Sequence, residues 1–164
     1  MEITTELVKQ LRDETGVSIM QCRKALDEAG GDISKAKGLL QSKSAEIAGK
    51  KSDRALGAGI IATYVHSTGT IGAMVELLCE TDFVANNEEF KKLAKDIALQ
   101  VSATSPKFLK ADEAGADAEP EAVLLNQAFI KNPEMTIINL IQGAIQKFGE
   151  NIELSRFVRY SVSE

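Results

Sequence analysis

The sequence predicts an α+β protein: three short amino-terminal helices, then a core of order β-β-α-α-α-β in which helices lie on one face of a three-stranded antiparallel sheet. Three observations carry this expectation. Apolar residues recur at helical spacing through the first forty positions, two β-rich runs flank a turn cluster at 67–70, and an alternating run occupies 152–162.

The first helix is read from Leu7 and Leu11 with polar residues between them, and Thr15-Gly16 breaks it. Ser18-Ile19-Met20-Gln21 has the Ser-x-x-Gln spacing of a capping box and starts the second helix, which runs to Gly30-Gly31. Asp32 caps a third, with Ile33, Ala36, Leu39 and Leu40 as its inward face. These helices make a module over residues 1–42, with few apolar side chains and hence modest independent stability. Residues 43–57 mix Lys43, Lys50, Lys51 and Arg54 with Ala, Ser and Gly, and read as a basic linker that is in part helical. The core is expected over 58–164.

Within it, Ile60–His66 and Ile71–Leu78 either side of Ser67-Thr68-Gly69-Thr70 predict an antiparallel hairpin. After Thr81 the apolar period lengthens to that of a helix. Asn87 with Glu88 and Glu89 marks a helix start, because a capping side chain precedes negative charge at the positive end of the dipole. Phe90, Leu93, Ala94, Ile97 and Val101 form its stripe, and Ser105-Pro106 ends it. Residues 111–121 carry acidic side chains without a basic one and read as a solvated loop. Two further helices are expected, Glu121–Lys131 and Thr136–Phe148, separated by Asn132-Pro133. Gly149-Glu150-Asn151 stops the second, and the final strand follows.

Composition narrows the function classes. The 164 residues suffice for a buried core without disulfides, and the net charge of −5, from 24 acidic and 19 basic side chains, argues against a nucleic-acid binder that works by phosphate neutralisation. No run approaches the roughly 18–20 apolar residues that span a bilayer, so no membrane role is expected. Cys22 and Cys79 lie far apart in apolar surroundings with no secretory leader ahead of them, which fits a reduced, cytoplasmic setting.

Chemistry is sparse. His66 is the one histidine, so a nucleophile–base pair would have to be Cys79 with His66, and both read better as structural or solvent-facing residues. One His and two distant Cys offer no metal-ligand spacing. Glu76, Glu80 and Asp82 resemble paired carboxylates, but no pocket motif or base accompanies them. Neither phosphate-loop glycine pattern is present, so no nucleotide cofactor is expected. No catalytic, cofactor or metal residue is assigned, and the chain is expected to act by contact.

Two stretches carry a family resemblance. Leu7-Val8-Lys9-Gln10-Leu11-Arg12-Asp13-Glu14-Thr15-Gly16, continuing through Met20-Gln21-Cys22-Arg23-Lys24-Ala25-Leu26, resembles the amino-terminal signature of bacterial and organellar elongation factor Ts. Glu76-Leu77-Leu78-Cys79-Glu80-Thr81-Asp82-Phe83-Val84-Ala85 resembles the second signature of that family, and Gly31-Asp32-Ile33 and Gly149-Glu150-Asn151-Ile152 match further, in the family's order over nearly the whole chain.

The resemblance implies a guanine-nucleotide exchange factor, not an enzyme, that binds elongation factor Tu in its GDP-bound and nucleotide-free forms. It also implies a ubiquitin-associated-like fold for the three helices. Carried over by position, Thr81, Asp82, Phe83 and Val84 form the stretch that enters the GTPase, with Asp82 and Phe83 near its Mg²⁺ and phosphates. Phe148 and Gly149 would approach the phosphate-binding loop, and Lys9, Arg12, Ile19 and Met20 would pack on the GTPase domain. His66 receives no role. The chain has one core unit and lacks the second core half and helical-hairpin insertion of longer members, and it resembles short forms that act as homodimers.

Two other readings remain open at this level. One is a helical protein-binding module with a core that only dimerises; the other is a small thiol enzyme using Cys79 and His66. Phe83 itself, without the resemblance, reads as a core anchor in a strand-to-helix turn. With it, Phe83 is held out for a partner.

Overall fold

The computed structural model describes residues 2–163. The chain forms two compact units: one comprises the residues up to Asp53 together with Gln142–Gly149, the other Arg54–Ile141 and the residues from Glu150 on. Among the described residues, no helix is long and apolar enough to cross a membrane.

In the first unit, helix α1 spans Thr5–Thr15, α2 Ile19–Glu28 and α3 Ile33–Lys51. Each starts on a side-chain oxygen that accepts a free backbone N–H three residues on: Thr4 from Leu7, Ser18 from Gln21, and Asp32 from Lys35. α1 stops at Gly16, whose left-handed φ of 71° lets its N–H reach the Arg12 carbonyl at 2.7 Å, a conformation that a side chain disfavours. Val8, Leu11, Cys22, Ala25, Leu26, Ala36 and Leu40 form the core of the bundle. Leu39, expected inside, is exposed, because the inward stripe of α3 passes through Ala36 and Leu40. The basic stretch expected to be linker is helical as far as Lys51, since α3 continues through it. Gln146 belongs to this unit, accepting from Ser44 Oγ and donating to Gln21 Oε1.

In the second unit, β1 (Ala58–Val65) and β2 (Ile71–Cys79) form the antiparallel hairpin, in register from Ala58↔Cys79 to Val65↔Gly72. Gly59 is required there: a Cβ would lie 2.7 Å from the Leu77 carbonyl oxygen. The last strand, β5 (Glu153–Ser161), pairs antiparallel with β2, giving the order β1-β2-β5. After β2 come a four-residue helix, α4 (Asp82–Ala85), and the long α5 (Glu88–Thr104), which Asn87 caps by accepting the Glu89 N–H at 2.8 Å. α5 covers one face of the sheet with Phe90, Ala94, Ile97, Ala98 and Val101, and Ser105 ends it in the left-handed region. The α+β architecture is as the sequence predicts.

The segment expected as a helix over Glu121–Lys131 is different. It forms two 3-10 turns, Pro120–Ala122 and Leu124–Asn126, and then a ribbon of β3 (Ala128–Phe129) with β4 (Asn132–Thr136). The reason is a tertiary contact. Gln100 of α5, fully buried, donates its amide to Ala128 O and Gln127 Oε1, both at 3.0 Å, and accepts the Ile130 N–H at 3.0 Å. Gln127 Nε2 in turn donates to Glu121 O. These bonds satisfy backbone groups that a helix would have paired with its own chain. The expected Thr136–Phe148 helix is present as α6 (Ile137–Phe148), and it ends at Gly149, where φ is 71°.

Candidate functional site

The stretch after β2 shows how Phe83 is presented. Thr81 is extended (φ −127°, ψ 153°), its hydroxyl accepts the Val84 N–H at 3.4 Å, and its carbonyl accepts the Ala85 N–H at 3.1 Å. Successive residues on one helical turn are about 100° apart, so two neighbours that face the core leave the other two outside. Val84 and Ala85 are the buried pair, at 5% and 3% exposure. Asp82 is exposed and Phe83 is 86% exposed. Val84, expected at the partner surface with Phe83, thus sits beneath the turn and anchors it. The core-anchor reading of Phe83 fails, because Val84 fills that role.

A four-residue helix cannot hold its own geometry, and here the segment just before β5 holds it. Glu150 Oε1 accepts the N–H groups of Glu80 (3.1 Å) and Thr81 (3.0 Å), while its Oε2 accepts the Thr81 hydroxyl at 2.7 Å. In return, Glu80 Oε2 accepts the Asn151 N–H at 2.6 Å and lies 3.6 Å from the Arg54 guanidinium. Asn151 Nδ2 donates to Arg54 O at 3.0 Å. Glu150 and Asn151 carry no role in the sequence reading, where they only end a helix. Their signal was the match of Gly149-Glu150-Asn151-Ile152 to the family.

The other expected contact residues fall in the first unit. Lys9 and Arg12 are exposed on α1, and Ile19 and Met20 are exposed on the first turn of α2, Met20 at 81%. Two large apolar side chains in water at a helix start are unneeded by the bundle core. Phe148 is half-buried at the end of α6 with the Lys147 ammonium 6.0 Å from its ring centre, and Gly149 is exposed. Both residues belong to this unit, whereas Thr81–Val84 belong to the other.

Acid–base and thiol chemistry find no support in the geometry. The Glu76 carboxylate accepts from Ser155 Oγ at 2.7 Å and from Arg156 at 3.1 Å, and these partners, the serine first, hold its pKa below the ordinary carboxylate value. Cys79 is fully buried and donates to Thr81 O at 3.3 Å. Burial pushes its thiol pKa up, and the Glu150 carboxylate adds to the rise, so the residue is an uncharged donor rather than a nucleophile. His66 is exposed beyond the far end of the hairpin, with its Nδ1 at 3.2 Å from the Tyr64 hydroxyl. Cys79 pairs with Ala58 and His66 follows Val65; the intervening strand is about 23 Å long, so they form no catalytic pair. Among the described residues, no group of three or more His, Cys, Asp or Glu is placed to hold a metal ion.

A braced turn that holds one large aromatic ring in water has the form of a contact surface. Comparison with known proteins gives the family. A family model described as elongation factor TS matches residues 46–120. The elongation factor Ts of Thermodesulfovibrio yellowstonii is 40% identical, with the alignment covering 100% of this chain and 98% of that protein. That of Desulforamulus reducens is 39% identical over 99% of this chain and 90% of its own length, and that of Alkaliphilus metalliredigens 38% identical over 100% and 91%. The chain belongs to the elongation factor Ts family.

Proposed function

We propose that this chain releases GDP from elongation factor Tu by seating Asp82 and Phe83 beside the Mg²⁺ and phosphates of the GTPase. As a member of the elongation factor Ts family, it is a nucleotide exchange factor for elongation factor Tu in translation elongation and not an enzyme. The observation that carries the mechanism is the 86% exposure of Phe83 directly beside the 5% exposure of Val84. A phenylalanine kept in water on a braced turn is stabilised by whatever surface removes it from water.

Burying such a side chain contributes roughly 1.5–3 kcal/mol, and about 1.4 kcal/mol is a factor of ten in an equilibrium. One wedge therefore weakens nucleotide binding by about ten- to a hundredfold. Mg²⁺ tolerates little departure from octahedral geometry, so a small displacement of its ligands loosens ion and phosphates together. Linkage makes the effect mutual: GDP weakens binding of the factor by the same ratio. That reciprocity permits turnover.

On this reading residues 1–42 dock on the GTPase through Lys9, Arg12, Ile19 and Met20. The basic stretch 43–57, helical as far as Lys51, connects, and residues 58–164 carry the inserted turn. Phe148 and Gly149 approach the phosphate-binding loop, and the site of action is the cytoplasm, where the partner works.

The active species is a homodimer. The sheet face away from α5 supports this, since it exposes Ile61, Val65, Met74, Val158 and Tyr160 on three paired strands. A cross-strand row runs Thr63↔Met74↔Val158, and the Glu76–Arg156 ion pair lies one step along. A second copy of the same face would cover this contiguous apolar surface.

The test is release of a fluorescent GDP from elongation factor Tu, followed by stopped flow with this protein and with its Phe83→Ala variant. Acceleration by the wild type and a much weaker effect of the folded variant are expected. No acceleration by the wild type at any concentration overturns the assignment.

A further inference from the structure

The β2–β5 ladder ends at Leu78↔Glu153; the same register carried onward would set Glu80 against Asn151 and Thr81 against Glu150, and side-chain bonds join these residues. Beyond the ladder, carboxylates take over the acceptor role of main-chain carbonyls: Glu80 accepts from Asn151, and Glu150 accepts from Glu80 and Thr81. The Thr81 hydroxyl has one hydrogen and two lone pairs. Glu150 Oε2 takes the hydrogen, which orients the rotor so that a lone pair meets the Val84 N–H. The cap of α4 is therefore set by Glu150, about seventy residues away in sequence and not by the turn itself.

We propose that Glu150 is a positioning residue for nucleotide exchange: through the Thr81 cap it aims Phe83 at the partner. This rests on the reading of Phe83 as the inserted side chain. All three of the named bonds to the carboxylate come from Glu80 and Thr81, so its effect on the partner passes through the turn. Hydrogen bonds to a charged acceptor are the stronger ones, and removing the acceptor leaves two N–H groups and a hydroxyl without it. The turn then samples other directions, and only a fraction of encounters find Phe83 placed to insert.

The experiment is a double-mutant cycle on GDP release at saturating factor, using the full chain as wild type, Glu150→Ala, Phe83→Ala and the double variant, with Glu150→Gln alongside. If Glu150 acts by aiming Phe83, Glu150→Ala slows release about tenfold, which is about 1.4 kcal/mol, in the wild-type background and less than about twofold, within the usual additivity error, in Phe83→Ala. Glu150→Gln keeps an oxygen acceptor for both N–H groups and recovers part of the rate. Amide hydrogen exchange gives a second readout: Ala85 and Asn86 lose protection in Glu150→Ala while the α5 amides keep theirs. Equal losses in both backgrounds, or unaltered protection of Ala85 and Asn86, refute the positioning role while leaving the inserted Phe83 intact. A Phe83→Ala variant that exchanges as fast as wild type refutes the inserted side chain, and the positioning role with it.

Discussion

Replacing Phe83 and Val84 by alanine, one at a time, separates what the turn presents from what holds it. The residues are adjacent, but one is 86% exposed and the other 5%. Val84→Ala removes two buried methyl groups at about 0.8 kcal/mol each and leaves a small cavity, for a loss of about 2 kcal/mol. In a chain of this length a loss of that size lowers the thermal midpoint by about 4–8 °C. Phe83→Ala removes a side chain already in water and changes stability by less than about 0.5 kcal/mol, or under about 2 °C. The exchange assay inverts the order. Phe83→Ala forfeits the roughly ten- to hundredfold contribution of the wedge, whereas Val84→Ala, assayed well below its midpoint, loses less. Circular-dichroism melting and stopped-flow GDP release on the same preparations give both orders. A large fall in midpoint for Phe83→Ala with little for Val84→Ala would refute the outward placement of the ring.

Other predictions follow from packing and charge. Gln100→Leu fills the same space but strips the acceptor from the Ile130 N–H and the donor from Ala128 O and Gln127 Oε1; urea unfolding should show a loss of about 2–4 kcal/mol, and a neutral result would mean the ribbon holds itself. Met74→Lys puts a charge in the middle of the exposed sheet face, so sedimentation should find a dimer for the wild type and a monomer for the variant; a monomeric wild type refutes the dimer. Glu14, 2.5 Å from Lys37, has its pKa lowered chiefly by that lysine, and Glu76 by Ser155 and then Arg156. A carboxylate with a folded pKa below its unfolded one stabilises the fold above the unfolded value and ceases to as pH falls through the folded one. The thermal midpoint should therefore fall with pH below the ordinary carboxylate range, and Lys37→Met should flatten part of that fall; an unchanged slope in Lys37→Met would exclude the Glu14 pair.

Elements whose signals are local were legible. Ser18, Asp32 and Asn87 cap helices because a short side chain reaches an N–H two or three residues on, wherever the helix packs. The hairpin was equally plain, since alternation and a four-residue turn set pairing between near neighbours. The candidate site is read from the sequence as the stretch Thr81–Val84, through the resemblance to the family's second signature. Its orientation is not: which of Phe83 and Val84 turns inward depends on the phase of a single helical turn against the sheet, and so few residues carry no period to read. The competing thiol–imidazole reading fails on distance along a strand, which only the pairing of Ala58 with Cys79 reveals.

Two segments mark where sequence stopped and tertiary structure decided. Residues 121–131 have ordinary helix-forming composition, and their local preference is weak enough that a few buried bonds from Gln100 redirect the chain into turns and a ribbon. Glu150 reads as a polar residue after a helix, yet β2–β5 pairing brings it opposite Thr81. Local signals set the fold class, the caps at Ser18, Asp32 and Asn87, the hairpin and the family, because these rest on side chains acting on their own backbone or on long motifs. The direction of Phe83 and the brace that holds it come from contacts distant in sequence, because a capped turn of four residues takes its orientation from the groups packed against it.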